Sequence, residues 1–354
     1  MTKTLLLLPG DGIGPEVIAE ARKVIARLNE IAALDLAVEE RPFGGTSYDL
    51  YGTPLTDETR DLALASDAVL MGAVGGPQWA GNPRDKRPES GLLSLRKAMD
   101  AFANLRPAIC FEALADASSL KREVVAGLDI MIVRELTSGV YFGDKKITTH
   151  ADGSRSAYDV QAYTQAEIER VARVAFELAR GRSNRVVSAE KSNVMDTGLL
   201  WREVVTALHK AEYTDVQLEH ELADSLAMQL VRNPKRYDVI VTDNLFGDIL
   251  SDEASMLTGS IGLLPSAALS TAGRPGLYEP VHGSAPDIAG KGWANPLAAI
   301  LSLGMALRWS LERPDLDDRL NAAVKAALAG GARTRDLGGA LSTAEMGDAV
   351  IAAL

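Results

Sequence analysis

The stretch "TLLLLPGDGIGPEV", residues 4–17, decides the fold class of this chain. Four consecutive leucines are typical of a strand that is buried on both faces, and the glycines and prolines that follow end the strand. Apolar residues then recur at helical spacing from Val17 to Leu28. The alternation of strand and helix predicts an α/β protein. Similar segments return at residues 67–76, 185–212 and 237–257.

Length and charge limit the classes of protein to which the chain can belong. A chain of 354 residues exceeds the usual size of a single core, so two domains are expected. The net charge of -11 argues against a nucleic acid or an anionic membrane as the partner, because phosphate binding needs clustered Lys and Arg. The opening run of four leucines is too short for a signal peptide, and no long apolar run follows, which predicts a cytoplasmic protein.

Local patterns predict further features. A strongly amphipathic segment predicts a helix over residues 165–179 that ends at Gly181. Asn295 and Pro296 are typical of a helix start, and the apolar text after them predicts a helix buried on most sides. The single cysteine, Cys110, lies in the apolar run "PAICFEAL", so we expect a core residue and exclude an internal disulfide or a cysteine-rich zinc site.

The domain organisation is predicted from the segment of residues 138–163 and from the absence of a visible linker. Residues 138–163 alternate aromatic and β-branched residues with turn formers, which predicts a β excursion between helical segments. No internal repeat or disordered linker is visible, so boundaries are expected inside continuous secondary structure, near residues 100 and 255. This organisation predicts a discontinuous first domain, residues 1–100 plus 256–354, and an inserted second domain, residues 101–255.

Gly10, Gly12 and Gly14 resemble a dinucleotide-binding fingerprint, but the spacing is wrong. Pro15 occupies the place of the third glycine, and its ring removes a backbone N–H from the helix start where a pyrophosphate would bind. We therefore interpret the glycines as a tight structural turn beside the active site.

The segment "VTDNLFGDILSDEASML", residues 241–257, places acidic residues among Leu, Ile, Phe and Met. Asp248 and Asp252 are four residues apart in helical text, so both carboxylates are expected on one face. Mg²⁺ and Mn²⁺ prefer such oxygen ligands, and ligand sites in α/β sheets lie at the carboxyl ends of strands. Asp224 likewise interrupts an apolar helix face. These features favour a metal site over the alternative, a solvated acidic face.

Basic residues in apolar surroundings are candidates for substrate binding. Arg96, Arg106 and Arg134 are each flanked by apolar residues, and guanidinium groups there bind carboxylates in bidentate fashion. Ordinary ion pairing is the alternative. Lys191 follows a predicted strand, where a lysine beside a cation is a candidate general base, although a surface lysine is the alternative.

The Gly- and Pro-rich stretch "EPVHGSAPDIAGKGWANP", residues 279–296, is costly to order unless it binds a ligand. A nucleotide is the expected ligand. The polar and small residues that the stretch offers to it are His282, Gly283, Ser284, Asp287 and Asn295.

Over almost its whole length the chain resembles the β-decarboxylating dehydrogenases, the isocitrate/isopropylmalate dehydrogenase family. The resemblance rests on ordered motifs rather than on a single match. The motifs are "LPGDGIGPEV", "ESGLLSLRK", "FANLRP", "RELTSGVYFG", "EKSNVMDTGLLWREV", "NLFGDILSDEAS", "GLLPSA" and "EPVHGSAPDIAGKGWANP".

This resemblance implies the two-domain α/β fold of that family, which is not a Rossmann fold. The first domain would bind the nucleotide, and the second would carry the metal site and the dimer contacts. The β excursion would form a clasp between the subunits of a homodimer. Lys191 and Asp224 would then enter the active site of the partner subunit.

The resemblance also assigns a role to each candidate residue. Lys191 would be the general base and Tyr141 the proton donor, and Asp224, Asp248 and Asp252 would bind Mg²⁺ or Mn²⁺. The substrate-binding residues would be Glu89, Leu92, Leu93, Arg96, Arg106 and Arg134. The NAD-binding residues would be Ile13, Glu279, His282, Gly283, Ser284, Ala285, Asp287 and Asn295.

The activity that the resemblance implies is NAD-dependent oxidation and decarboxylation of a 2-hydroxy diacid. Leu92 and Leu93 offer an apolar wall that suits 3-isopropylmalate better than isocitrate, which indicates leucine biosynthesis. Asp287 favours NAD over NADP because a carboxylate repels a 2′-phosphate. Two other functions stay open: a Mg²⁺-dependent phosphotransferase, although no Walker A sequence is present, and a non-catalytic ligand-binding module.

Overall fold

The computed structural model describes residues 2–354, which form two compact units. The first unit contains the chain up to Ala101, Ile109–Gly127 and Ser255–Leu354, and the second contains Phe102–Ala108 and Leu128–Ala254. Residues 109–127, which the sequence prediction assigned to the second domain, therefore pack in the first unit.

The strands and helices alternate along most of the chain. The strands are β1 (Lys3–Gly10), β2 (Leu36–Glu40), β3 (Ala68–Ala73), β4 (Ala103–Ile109), β5 (Asp129–Glu135), β6 (Lys145–Thr149), β7 (Arg155–Asp159), β8 (Arg185–Glu190), β9 (Gln217–Leu222), β10 (Val239–Thr242), β11 (Pro265–Leu269) and β12 (Gly276–Pro280). The helices are α1 (Gly14–Ala32), α2 (Gly44–Tyr51), α3 (Asp57–Ala65), α4 (Pro88–Met99), α5 (Arg122–Val125), α6 (Gln165–Arg180), α7 (Asp196–Glu212), α8 (Ala223–Arg232), α9 (Asn244–Leu257), α10 (Leu297–Trp309), α11 (Pro314–Ala329) and α12 (Thr343–Ala353).

In the first unit the strands lie in the order β2-β1-β3-β12-β11. β1 pairs in parallel with β2 and β3, whereas β12 is parallel to β3 and antiparallel to β11. The leucines from Leu5 to Leu8 are fully buried, as expected for a parallel strand that is covered on both faces. The predicted strand, turn and helix at the start of the chain, and the α/β class, are confirmed.

In the second unit the strands lie in the order β4-β5-β10-β8-β9. β10 pairs in parallel with β5 and β8, and β8 pairs in parallel with β9. The predicted β excursion is the antiparallel hairpin β6–β7, most of whose residues are exposed. Its role as a clasp between subunits stays a prediction.

Other local predictions are also confirmed. α6 spans Gln165–Arg180 and its C-cap is Gly181, as the sequence predicts. The helix begins with a capping box, in which the side chains of Thr164 and Glu167 each accept the backbone N–H of the other residue. All residues of α10 from Leu297 to Leu307 are buried, and so is Cys110. Among residues 2–354, no helix combines the length and the apolar character that crossing a membrane requires.

Candidate active site

The turn after β1 depends on glycines that allow close approach of other backbone segments. A Cβ atom on Gly10 would lie 1.9 Å from the carbonyl oxygen of Ala73, and one on Gly12 would lie 2.0 Å from that of Ser284. The φ angles of the two glycines are 73° and 59°, which L side chains rarely adopt. The cluster is therefore a tight structural turn, as the sequence predicts.

This turn brings the first predicted nucleotide-binding residues together. The Ile13 N–H donates to the carbonyl oxygen of Ser284 at 2.9 Å, and the Ile13 side chain is buried. Ala285, the residue after Ser284, has a φ of 38°, so the backbone bends sharply at this contact. Ile13 belongs to a buried apolar cluster with Val17, Ala294 and Ala299, against which Ala285, Ile288 and Ala289 pack.

The loop after β12 contains a buried polar atom that a ligand could satisfy. The Nε2 atom of His282 is buried and has no hydrogen-bond partner among the described residues, while Nδ1 lies 3.0 Å from the carbonyl oxygen of Gly283. Burial lowers the pKa of His282, which favours the neutral imidazole. Gly283 and Asp287 are exposed. Because native proteins rarely leave such an atom unpaired, the loop residues fit a bound nucleotide.

Asn295 links this loop to a segment near the end of the chain. Its Nδ2 donates to Oδ2 of Asp336 at 3.0 Å, and its Oδ1 accepts the N–H of Leu297, the first residue of α10, at 3.0 Å. The Oγ of Ser260 also donates to Oδ2 of Asp336, at 2.6 Å. The N-cap of α10 is Pro296 rather than the predicted Asn295, so the helix begins one residue later than the sequence predicts.

α4 presents four predicted substrate residues at the spacing of one helix face: Glu89, Leu92, Leu93 and Arg96. Glu89 is exposed and the two leucines are half-buried. Arg96 Nη2 donates to Oε1 of Glu279 at 2.6 Å, and both side chains are largely buried. The ion pair therefore joins a predicted substrate residue to a predicted cofactor residue of the same unit.

The second unit assembles the remaining predicted residues around α9. Arg134, at the end of β5, is 3% exposed, and its Nη1 donates to Oδ1 of Asp248 at 2.5 Å. Its Nε and Nη2 both donate to Oδ1 of Asn244, at 3.1 Å and 2.7 Å. The guanidinium group is therefore fixed along one edge and reaches a candidate metal ligand with the other.

Arg106 meets the same helix from β4. Its Nη1 lies 3.4 Å from Oδ1 of Asp248 and 3.2 Å from Oδ1 of Asp252, and it donates to Oγ of Ser251 at 2.6 Å. Its Nε donates to Oδ1 of Asn104 at 2.8 Å. Since one nitrogen reaches both carboxylates, Asp248 and Asp252 lie on one face of α9, as their spacing predicts.

Tyr141 lies in a short 3₁₀ turn after β5, next to this cluster. Its hydroxyl donates to Oδ2 of Asp248 at 2.6 Å, and the Arg134 guanidinium lies 5.4 Å from the centre of its ring. Burial, and then the hydrogen bond to Asp248, raise the pKa of Tyr141. The phenol therefore keeps its proton at neutral pH and can donate it.

Lys191 and Asp224 form a separate pair within the second unit. Lys191 Nζ lies 2.8 Å from Oδ1 of Asp224, and their side chains are 23% and 64% exposed. The hydrogen bond from Lys191 lowers the pKa of Asp224, so this carboxylate is ionised. Both predicted residues are thus solvent-accessible on the surface of one chain.

The carboxylates around α9 have the chemistry that a hard divalent cation requires. Asp248 and Asp252 supply adjacent oxygen donors whose side chains are 32% and 58% exposed, so a cation can reach them. Within residues 2–354, no group of three or more His, Cys, Asp or Glu side chains lies together in a way that could hold a metal ion. The two carboxylates fit a hard cation whose other ligands are waters or oxygens of a bound molecule.

Asp243 has a structural role among the acidic residues of this segment. It is 6% exposed, its Oδ1 accepts the N–H of Phe246 at 2.8 Å, and its Oδ2 accepts Nε2 of Gln161 at 2.9 Å. Burial raises its pKa to about 6. It therefore caps the first turn of α9.

Sequence reasoning missed several buried polar residues that hold the predicted ones. Asp11 is 2% exposed and accepts the N–H groups of Gly45, Thr46 and Gly75 at 2.8 to 2.9 Å. Asn104 and Asn244 accept from the two arginines around α9. No local pattern marks Asn244, since its partner Arg134 lies 110 residues away in the chain.

Comparison with known proteins gives one consistent result. The model of the isocitrate/isopropylmalate dehydrogenase family matches residues 4–350. The chain is 71% identical to a 3-isopropylmalate dehydrogenase of Caulobacter vibrioides, over 99% of each chain.

Solved structures agree on the fold. An isocitrate dehydrogenase from Methylococcus capsulatus matches with a TM-score of 0.89 at 34% identity and 99% coverage of both chains. A β-decarboxylating dehydrogenase from Thermococcus kodakarensis, in its apo form, matches with a TM-score of 0.80 at 36% identity, covering 99% of this chain and 96% of that one.

Proposed function

The chain belongs to the isocitrate/isopropylmalate dehydrogenase family, and from that premise we propose that it oxidatively decarboxylates 3-isopropylmalate to 4-methyl-2-oxopentanoate with NAD. Oxidation and the release of carbon dioxide occur in the same active site. The reaction is a step of leucine biosynthesis. The relative from Caulobacter vibrioides, whose printed name carries this activity, supports the proposal through its 71% identity over 99% of the chain.

The observation that carries the chemistry is the cluster around Asp248. One carboxylate accepts the phenol of Tyr141 at 2.6 Å and lies beside the guanidinium groups of Arg106 and Arg134. These two guanidinium groups are suited to bind the carboxylates of a diacid, and the neighbouring phenol can donate a proton to the bound diacid.

Each residue of the cluster has a defined task in this proposal. Arg106 and Arg134 bind and orient the substrate's carboxylates. Lys191 Nζ accepts the proton of the substrate hydroxyl, and Tyr141 Oη donates a proton to the carbon from which carbon dioxide has left. Mg²⁺ or Mn²⁺ would be held by Asp248 and Asp252 together with Asp224 and would supply a Lewis acid for the substrate's oxygens, and NAD would supply the hydride acceptor.

We further propose a homodimer in which Lys191 and Asp224 serve the active site of the partner subunit. The carboxylates of Asp248 and Asp252 could accept a third carboxylate as a co-ligand of the cation, and the pair of Lys191 and Asp224 is accessible at the surface. Large apolar side chains are exposed on the same unit, and a dimer contact would cover them. They include Val194 (75%), Met228 (66%) and Ile249 (58%).

NAD is proposed as the nucleotide on the basis of the loop after β12. The buried Nε2 of His282 offers a polar contact, and the fixed backbone at Ser284 and Ala285 shapes the binding surface. The exposed carboxylate of Asp287 suits ribose hydroxyls and opposes a 2′-phosphate.

The substrate's apolar tail is assigned to Leu92 and Leu93. Both side chains are half-buried on α4, so each offers apolar surface to a ligand. Burying an isopropyl group contributes roughly 2 kcal/mol, at about 0.8 kcal/mol per carbon. The additional carboxylate of isocitrate would lose its hydration against the same surface without a partner.

The proposal is tested by following NADH absorbance and the keto-acid product on addition of 3-isopropylmalate and Mg²⁺. We expect NADH and 4-methyl-2-oxopentanoate in equal amounts, and no activity after removal of divalent cations by a chelator. Activity that survives complete chelation would contradict the role given to Asp248 and Asp252. Binding of the diacid without any turnover would indicate a ligand-binding module instead.

A further inference from the structure

Two neutral side chains hold the arginines of the second unit. Oδ1 of Asn244 accepts both Nε and Nη2 of Arg134, at 3.1 Å and 2.7 Å, and Oδ1 of Asn104 accepts Nε of Arg106 at 2.8 Å. Both asparagines are 1% exposed. Each amide oxygen therefore fixes the Nε side of a guanidinium group in the interior, where its geometry is well defined.

Asn244 is itself held by two further hydrogen bonds. Its Nδ2 donates to the carbonyl oxygen of Ser138 at 2.9 Å, and its backbone N–H donates to Oη of Tyr163 at 2.9 Å. The side chain therefore has a single orientation, because Nδ2 is a donor and only Oδ1 can face Arg134.

The first turn of α9 also shapes the space for Arg134. A Cβ atom on Gly247 would lie 2.5 Å from Cγ of Arg134 and 2.8 Å from its Cβ. The missing side chain thus allows the arginine stem to cross the helix, one turn from the amide that holds its guanidinium group. The Arg134 side chain is thus enclosed on the side of α9 by Asn244, Gly247 and Asp248.

The asparagines that accept the Nε atoms of these two arginines are neutral. The Nη1 atoms of the same arginines already lie beside the carboxylates of Asp248 and Asp252. Arg96 donates to the carboxylate of Glu279 at 2.6 Å, so that pair is formally neutral. An amide oxygen accepts the same kind of hydrogen bond from Arg106 or Arg134 but adds no negative charge. A carboxylate on the Nε side would weaken the attraction that these arginines exert on an anionic ligand.

We propose that Asn244 and Asn104 are positioning residues that hold Arg134 and Arg106 in place without adding negative charge beside them, so that the arginines bind the carboxylates of the substrate strongly. This inference rests on the proposed function for the identity of the diacid. It assigns the choice of asparagine, rather than aspartate, to substrate binding in addition to the hydrogen bond that Nδ2 of Asn244 donates to Ser138.

The test replaces Asn244 or Asn104 by aspartate, which keeps an acceptor oxygen in place and adds one negative charge. Asn184→Asp is the matched control, because it adds the same charge to the same unit at a residue whose amide donates to the carbonyl oxygen of Asp215. Dissociation constants of 3-isopropylmalate and of malate are measured by calorimetry with Mg²⁺ present and nucleotide absent. Thermal midpoints and the KM for NAD are measured on the same variants.

We expect Asn244→Asp and Asn104→Asp to weaken diacid binding by about tenfold or more, with little change in the KM for NAD. Asn244→Asp should also lower the thermal midpoint, because its new carboxylate oxygen faces the carbonyl oxygen of Ser138, so the dissociation constants are measured below the midpoint of each variant. Asn184→Asp should bind the diacids as the wild type does. Unchanged dissociation constants in both active-site variants, or an equal loss in the control, would overturn the inference. Turnover by the wild type separately tests the proposed function, because calorimetry does not depend on it.

Discussion

Replacing Asp243 by asparagine should stabilise the protein at high pH more than at low pH. Burial raises the pKa of Asp243 from an ordinary 3.8 to about 6 in the folded protein. The folded state therefore binds more protons than the unfolded state between those values, and its stability falls as pH rises through this window. A difference of about two pKa units corresponds to roughly 3 kcal/mol once both states are ionised.

Asp243→Asn removes this titration, so its effect relative to the wild type depends on pH. Between about pH 5 and about pH 8, the free energy of unfolding of the wild type should fall by roughly 1.4 kcal/mol relative to that of the variant. The new amide can keep its oxygen on the N–H of Phe246, and the side-chain amide of Gln161 can rotate to present its oxygen to the new donor. The capping bond of α9 is thereby preserved.

The assay is the free energy of unfolding in urea at the two pH values, for the wild type and the variant. Asp238→Asn is a control, since Asp238 is also buried but accepts Nε of Arg182 at 2.8 Å. Losing that anion should destabilise the protein at both pH values. A difference between Asp243→Asn and the wild type that stays constant with pH would refute the reasoning.

Three further predictions concern catalysis. Tyr141→Phe should slow decarboxylation of the 2-oxo acid intermediate by about a hundredfold or more, because the phenol that donates the proton is lost. The rate of hydride transfer should fall less. Equal losses in the two half-reactions would contradict the role of Tyr141 as the proton donor. Lys191→Met and Asp248→Asn chains should each be inactive but regain roughly a quarter of wild-type activity as randomly mixed dimers, and no recovery after verified subunit exchange would mean that each site is self-contained. Asp287→Arg should raise the ratio of kcat/KM with NADP to that with NAD by about tenfold, since a repelling charge becomes an attracting one, and an unchanged ratio would show that another residue selects the nucleotide.

Much of the fold could be predicted because its signals are local. Two examples are the buried leucines of β1 and the capping box at Thr164. Each of these signals lies within a few consecutive residues, so the sequence displays it directly. The shared face of Asp248 and Asp252 follows from helix geometry alone. These features require no knowledge of which distant segments meet.

The missed features depend on contacts between distant parts of the chain. Arg96 and Glu279 are 183 residues apart, and their ion pair changes the surroundings of an arginine that the sequence assigns only to substrate. The acceptor bonds of Asn244 and Asp11 arise in the same way. No periodic pattern in the sequence marks an asparagine or aspartate that binds a distant partner, so the role of such a residue is visible only in the folded structure.

The most direct test of the proposed function is the kcat/KM of the wild type and of the Leu92→Ala/Leu93→Ala double variant for 3-isopropylmalate, isocitrate, tartrate and malate, with NAD and Mg²⁺. We expect 3-isopropylmalate to be the best substrate of the wild type, because the two half-buried leucines offer its isopropyl group an apolar surface. The double variant should lose efficiency chiefly with this substrate, by up to roughly 2 kcal/mol or about thirtyfold. A higher kcat/KM of the wild type for isocitrate or malate than for 3-isopropylmalate would contradict the assignment.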